Sequence, residues 1–217
     1  MLRRLTLALL LSALPALPAI SVAATPTYRL DPVHTRVLFA IEHAGFSHAL
    51  GTVSGSEGEL SFDPADWAAS RLDVRIPIAR LDLGDAKWNQ ATLARNLLDG
   101  ERFPEARFMS TGVEQIDDTH GRVKGDLTLR GVTREVVLEV KLNALKRHPL
   151  PPFRRTAGFS ATATLSRRDF GITAWSSMIG DSVQLRIEAE AVRDRNASDD
   201  GPPPAPVPPE PTDRSTP

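Results

Sequence analysis

Three histidines, His34, His43 and His48, fall within fifteen residues of one another, with Glu42 beside the second. Three imidazoles can hold a catalytic zinc ion that keeps a fourth position for water. No H-E-x-x-H occurs, so the helical form of such a site is missing. His43 alternates with Val37, Phe39 and Ile41 and shares their face, whereas His34 precedes that stretch and His48 follows it. Three roles stay open for them: metal ligation, hydrogen bonding at a pocket mouth, or ordinary packing and surface positions. Nucleophilic chemistry has less support, because the chain has no cysteine and no G-x-S-x-G turn. The paired carboxylates Asp117-Asp118 and Asp199-Asp200 stand in turn or tail composition, where hydration accounts for them. Glu57 and Glu59 share the parity of Val53 and would face inward on a regular strand.

The elements that must position these groups are strands. Gly121–Asn143 is the clearest stretch: Val123, Leu127 and Leu129 alternate with polar residues, and after Gly131 the pattern resumes at Val136, Leu138 and Val140. A period of two with one apolar face is an antiparallel hairpin, and a one-residue slip would turn every apolar side chain outward. Thr35–His43, Leu72–Ile78, Arg107–Ile116, Thr156–Ser166 and Ser182–Val192 read the same way. Thr52–Phe62 reads as one strand with a bulge near Gly55 or Gly58, and Asp63–Trp67 as a turn or short helical piece. One helix is expected, with Asp85 as N-cap and Gly100 just past its end; Leu93/Leu97 and Ala94/Leu98 give it an apolar stripe. It would cover an opening or an edge of the sheet.

Residues 1–24 read as a secretory signal: Arg3 and Arg4, an apolar run from Leu5 to Leu14, then Val22-Ala23-Ala24. That run is too short to span a bilayer. Residues 25–197 form one domain, and 198–217 are a Pro-rich tail of disordered composition. The net charge is −1; without Arg3 and Arg4 it is −3, and the tail from Asp199 onward, with four carboxylates and Arg214, accounts for all of it. The domain is neutral, which argues against a nucleic-acid partner.

About eight strands with one inserted helix give an all-β fold, a closed antiparallel barrel or a sandwich. Strand periodicity fits both. Ala161 and Ala163 on one strand and Ala189 and Ala191 on the next share the inward parity of Phe159, Leu165 and Leu185. Small residues facing small residues leave space, the basis for expecting a cavity; in a sandwich they would let the sheets approach closely. Phe170, Trp175 and Met178 form an apolar loop that, with Leu93 and Leu97, either rims a barrel mouth or plugs its end.

Gly125–Val140, GDLTLRGVTREVVLEV, resembles the hallmark hairpin of the YceI-like family, secreted lipid- or polyisoprenoid-binding proteins of bacteria. Tyr28–Val53, Leu97–Ser110 and Ser166–Ile172 (SRRDFGI) are similar to other segments of that family in the same order. The resemblance implies a lipocalin-like extended antiparallel barrel with a helical cap, a long hydrophobic pocket, a periplasmic location and no catalytic residues. It places Phe39, Ile41, His43, Phe46, Phe108, Phe170, Trp175 and Met178 in pocket segments. The strand and helix patterns add Leu93, Leu97, Leu127, Leu129, Phe159, Ala161 and Ala189. The expected partner is one long-chain lipid or polyisoprenoid, tail inside and polar head at the mouth, with Arg95, Arg167 or Arg168 as head-group cations. No cofactor or metal is expected, and a long exposed strand edge allows a homodimer. The alternatives are a small lipid-modifying enzyme using His43 or His34 as base, and a solid barrel serving as an envelope interaction module.

Overall fold

The computed structural model describes residues 25–194, so the expected signal (1–24) and tail (198–217) lie outside the described residues. The strands are β1 (Thr27–Leu30), β2 (Arg36–His43), β3 (Ser47–Ser54), β4 (Glu57–Asp63), β5 (Asp66–Pro77), β6 (Leu81–Asp82), β7 (Glu105–Gln115), β8 (His120–Leu129), β9 (Val132–Arg147), β10 (Arg155–Ser166) and β11 (Ile179–Arg193). One α-helix, α1 (Ala86–Leu93), follows β6. The pairings are antiparallel, in the order β1-β4-β5-β7-β8-β9-β10-β11, and β1 also pairs with β11. Eight strands therefore close into a barrel. The β2–β3 hairpin and β6 extend its wall beyond β1, because β11 pairs with β1 at Ala191–Arg193 and with β2 from Glu188 back to Ile179.

The Gly121–Asn143 hairpin forms as its alternation requires. Leu129 faces Val132, leaving a two-residue turn in which Arg130 (φ 52°) and Gly131 (φ 75°) are both left-handed. That is the turn whose twist matches paired strands, and glycine takes it without steric cost. Val123, Val136 and Leu138 are buried with Phe108 and Phe170 in one part of the core. A second part, around Tyr28, Leu60, Phe62 and Trp67 with Ala157 and Ala191, closes the far end of the barrel. There Phe62 meets Trp67 and Phe159 edge-on, at 5.3 and 5.4 Å between ring centres.

Three local expectations change. The parity shift between Val53 and Leu60 is a break between two strands, with no bulged single strand: after Gly55 (φ 75°) the chain leaves β2's partner position and becomes β1's partner. Glu57 and Glu59 consequently face outward, and Glu59 lies 3.5 Å from Arg29. Trp67 belongs to β5, since Asp63 and Asp66 pair across a two-residue turn. The helix ends at Leu93. Asp85 caps it through bonds to the backbone N–H groups of Lys87 and Trp88, but Ala94 is extended (ψ 159°) and Gly100 N–H returns to Leu93 O at 2.9 Å. This unwinding lets both Leu97 and Leu98 pack onto the core; a continuing helix would splay them by about 100°.

Gly58 faces Val74, and a Cβ there would fall against the carbonyl oxygen of Asp73. Backbone cannot rotate away as a side chain does. Gly58→Ala is expected to cost about 1–3 kcal/mol, seen as a lowered urea midpoint with an unchanged slope.

Candidate ligand-binding site

The barrel encloses a cavity of about 830 Å³. Every strand from β2 to β5 contributes to its wall, as do β7 to β11 and the segment containing α1. Along β11 the lining runs Ile179, Val183, Leu185, Ile187, Ala189, a stretch of roughly 30 Å at strand spacing. The cavity is therefore long as well as large. Its wall is mainly aliphatic and aromatic, because the inward face of each strand is largely the apolar half of the alternation.

The mouth lies where β2 and β3 meet, under α1. His43 closes β2 there and stacks on Trp88 of the helix, with ring centres 5.3 Å apart and tilted 40°. Trp175 and Met178 complete the rim, both substantially exposed, and Met178 O accepts from Ala44 N–H at 2.7 Å. The cap is tied to the β8–β9 hairpin. Arg130 in its turn donates to Gly171 O (3.1 Å) and Arg95 O (3.2 Å), linking the segment after α1 to the loop before β11.

That loop is held by Arg167, which is 5% exposed. Its guanidinium donates to the carbonyl oxygens of Gly180 (2.8 Å), Ile172 (2.6 Å), Ala174 (2.9 Å) and Ile179 (2.8 Å). Burial pushes its pKa down from the ordinary value, but a guanidinium stays charged throughout the physiological range. These bonds remove Arg167 from the expected head-group cations: it is a strut for the rim. Arg168 lies 3.7 Å from Asp181, and neither Arg168 nor Arg95 lines the cavity.

Of the residues expected at the pocket, Phe39, Ile41, His43, Leu97, Phe108, Leu127, Leu129, Phe159, Ala161, Phe170, Trp175, Met178 and Ala189 line it. Phe46 does not: it is 92% exposed. It follows two left-handed residues, Ala44 and Gly45, in a turn closed by Phe46 N–H to His43 O at 3.1 Å, which throws its ring outward. Leu93 does not line it either; its side chain covers Gly100 and closes its own turn. Trp88, Ile76, Ile78 and Leu81 are lining residues that the sequence reading passed over. Ile76 and Ile78 carried the signal, through their parity with Leu72 and Val74.

The three histidines do not converge. His43 is at the mouth, His48 is exposed on β3, and His34 bonds Asp31 through Nδ1 at 2.7 Å. Ligand atoms of Asp31, His34 and Glu190 lie within 4.8 Å of one another, away from the cavity lining. Burial pushes the Asp31 carboxyl up, but the His34 side chain and the N–H groups of Val33 and His34 outweigh it, so the net shift is down. The same bond raises His34. Asp31's contribution is present above its ordinary 3.8 and lost as pH falls through its lowered value. His34's contribution is present below its ordinary 6.5 and lost as pH rises through its raised value. The pair therefore stabilises fully between those limits. His34→Ala is expected to flatten the loss of stability just above pH 6.5, by less than about 1 kcal/mol because the pair is exposed. Thermal melts across that range check it.

The family model described as YceI-like domain matches residues 28–191. The chain belongs to the YceI-like family. A UPF0312 protein of Photorhabdus laumondii is 33% identical over 190 residues, covering 87% of this chain and 94% of the relative. Among solved structures, a YceI protein of Campylobacter jejuni is similar at 26% identity and TM-score 0.63, covering 69% of this chain and 87% of that one. A polyisoprenoid binding domain from Saccharophagus degradans shares the fold at 13% identity and TM-score 0.54, covering 77% and 98%. The YceI-like barrel is thus the lipocalin-like antiparallel barrel with a helical cap that the hairpin resemblance implied.

Proposed function

We propose that this YceI-like protein binds and carries one long-chain amphiphile, a polyisoprenoid, a fatty acid or a derivative, in the bacterial periplasm, and that it acts by binding without catalysis. The observation that carries this reading is the elongated apolar cavity of about 830 Å³, in the upper part of the ~300–1,000 Å³ range of ligand pockets. The binding named for the Saccharophagus domain supports the ligand class. The basic and apolar composition of residues 1–24 supports export. Burying a ten-carbon stretch contributes about 8 kcal/mol before association costs, so no charged partner is required for affinity.

Chain length supplies the test. Titration with a series of alkyl-chain fluorescent probes is expected to show one probe per protein. Affinity should weaken roughly fourfold for each methylene removed, as ~0.8 kcal/mol per CH₂ requires. A flat dependence on chain length contradicts the reading.

A further inference from the structure

The cavity wall is not uniformly apolar. Among the described residues, Thr35 Oγ1, Ser56 Oγ, Ser70 Oγ and Trp67 Nε1 are buried side-chain atoms with no hydrogen-bond partner. All four residues line the cavity, and they are 3%, 1%, 4% and 2% exposed. Each such atom costs the fold about 1–3 kcal/mol, and apolar side chains of similar size would avoid that cost. The orphaned groups therefore take their partner from what fills the cavity, water or the polar group of a bound molecule.

Thr35 and Ser56 both lie just past the same end of the β2–β3 ladder. Arg36 pairs with Ser54 at the end of the β2–β3 ladder, so Thr35 and Ser56 flank the two joints where β1 passes into β2 and β3 into β4. Both hydroxyls face the cavity, and neither bonds the other or any other protein group. They lie eight residues down β2 from His43 at the mouth, roughly 25 Å of strand. Ser70 and Trp67 are nearer the closed end, beside Phe62.

Among the described residues, the cations that line the cavity are Arg71 and Arg167; Arg80 lies over Gly55 and is not part of the lining. Arg167 is engaged by four carbonyls near the rim. Arg71 is exposed and donates to the carbonyls of Ala68 and Ser70. A carboxylate or phosphate held here would be buried without a counter-charge, which is costly. A neutral group is not so penalised.

We propose that Thr35 and Ser56 hold the neutral polar group of the ligand, a hydroxyl, carbonyl or carboxamide, so that the amphiphile lies polar end inward with its hydrocarbon toward Trp88, Trp175 and Met178. This rests on the lipid-binding reading and reverses the expectation of a head group at the mouth.

The test compares hexadecanol, hexadecanamide, hexadecanoate and hexadecane, each delivered from cyclodextrin in competition with a fluorescent alkyl probe. The wild-type protein is expected to take the alcohol and the amide roughly tenfold tighter than the hydrocarbon, the value of one satisfied buried hydrogen bond. Thr35→Val with Ser56→Ala is expected to reverse that order while hexadecane binds at least as tightly as before. The variant's melting temperature should equal or exceed the wild-type value, because two orphaned hydroxyls are gone; this excludes misfolding as the cause. Hexadecane binding the wild type as tightly as hexadecanol overturns the proposal and leaves lipid binding intact. So does a preference for hexadecanoate, or a double variant that keeps the wild-type order. Failure of all four chains to bind overturns the lipid-binding reading and the proposal with it.

Discussion

The double variant Ala161→Phe, Ala189→Leu is expected to fold normally and to lose about two orders of magnitude in affinity for long-chain probes. Both alanines line the cavity, on adjacent strands: Ala161 faces Ile187 across the ladder, and Ala189 faces Phe159. Larger side chains there project into the space a ligand chain would fill. Displacing three or four methylenes removes roughly 3 kcal/mol of burial, close to 100-fold in Kd. Ala161 is itself a buried core residue, so the apoprotein keeps its stability only where the new ring turns into the cavity beside it; a fall in Tm of more than a few degrees would show that it crowds the core instead. Probe titration and a thermal melt on the same sample separate the two effects. Undiminished uptake by the folded variant would mean that ligand does not occupy this part of the barrel.

Arg167→Met is expected to cost about 3–5 kcal/mol, a fall of about 10 °C or more in Tm for a domain of this size. Removing the guanidinium leaves the carbonyls of Ile172, Ala174, Ile179 and Gly180 without the donor that gathers them. Trp175, left-handed at φ 57°, sits inside the segment those bonds hold, so proteolytic cleavage should appear there first. Arg167→Lys should not rescue stability, since an ammonium presents its donors from one point and cannot span four carbonyls. If Arg167 were instead a head-group cation, the lysine variant would fold at wild-type stability and change only the affinity for anionic chains. The melt distinguishes the two.

Much of the barrel was legible because one period governs it. The alternations in β2, β8, β9, β10 and β11 named the inward residues directly, and the closing of one strand ring around them made a cavity of their faces. The alanine positions also carried information, since Ala161 and Ala189 do face open space. Period fails where the chain leaves regular strands. Phe46 stands in a segment adjacent to the pocket, but its direction is set by left-handed backbone at Ala44 and Gly45, which the segment resemblance does not encode. Leu93 and Leu97 looked like one helical stripe; the break at Ala94 sends Leu97 to the cavity and Leu93 onto Gly100. Arg167 looked like a free cation because its partners are backbone carbonyls, which have no signature in a sequence. Thr35 shares the parity of Val37 and Phe39, and Ser56 that of Leu60 and Phe62, so their inward direction was legible; that both hydroxyls lack a protein partner was not, because it depends on which groups the fold brings near them.

The central claim, that the barrel holds one long-chain amphiphile, is tested most directly by native mass spectrometry of the full chain exported from a bacterial host, followed by solvent extraction. The account predicts a single discrete adduct that extracts as a long-chain isoprenoid or acyl compound. Protein at its unliganded mass that also takes up none of a panel of such lipids would contradict it.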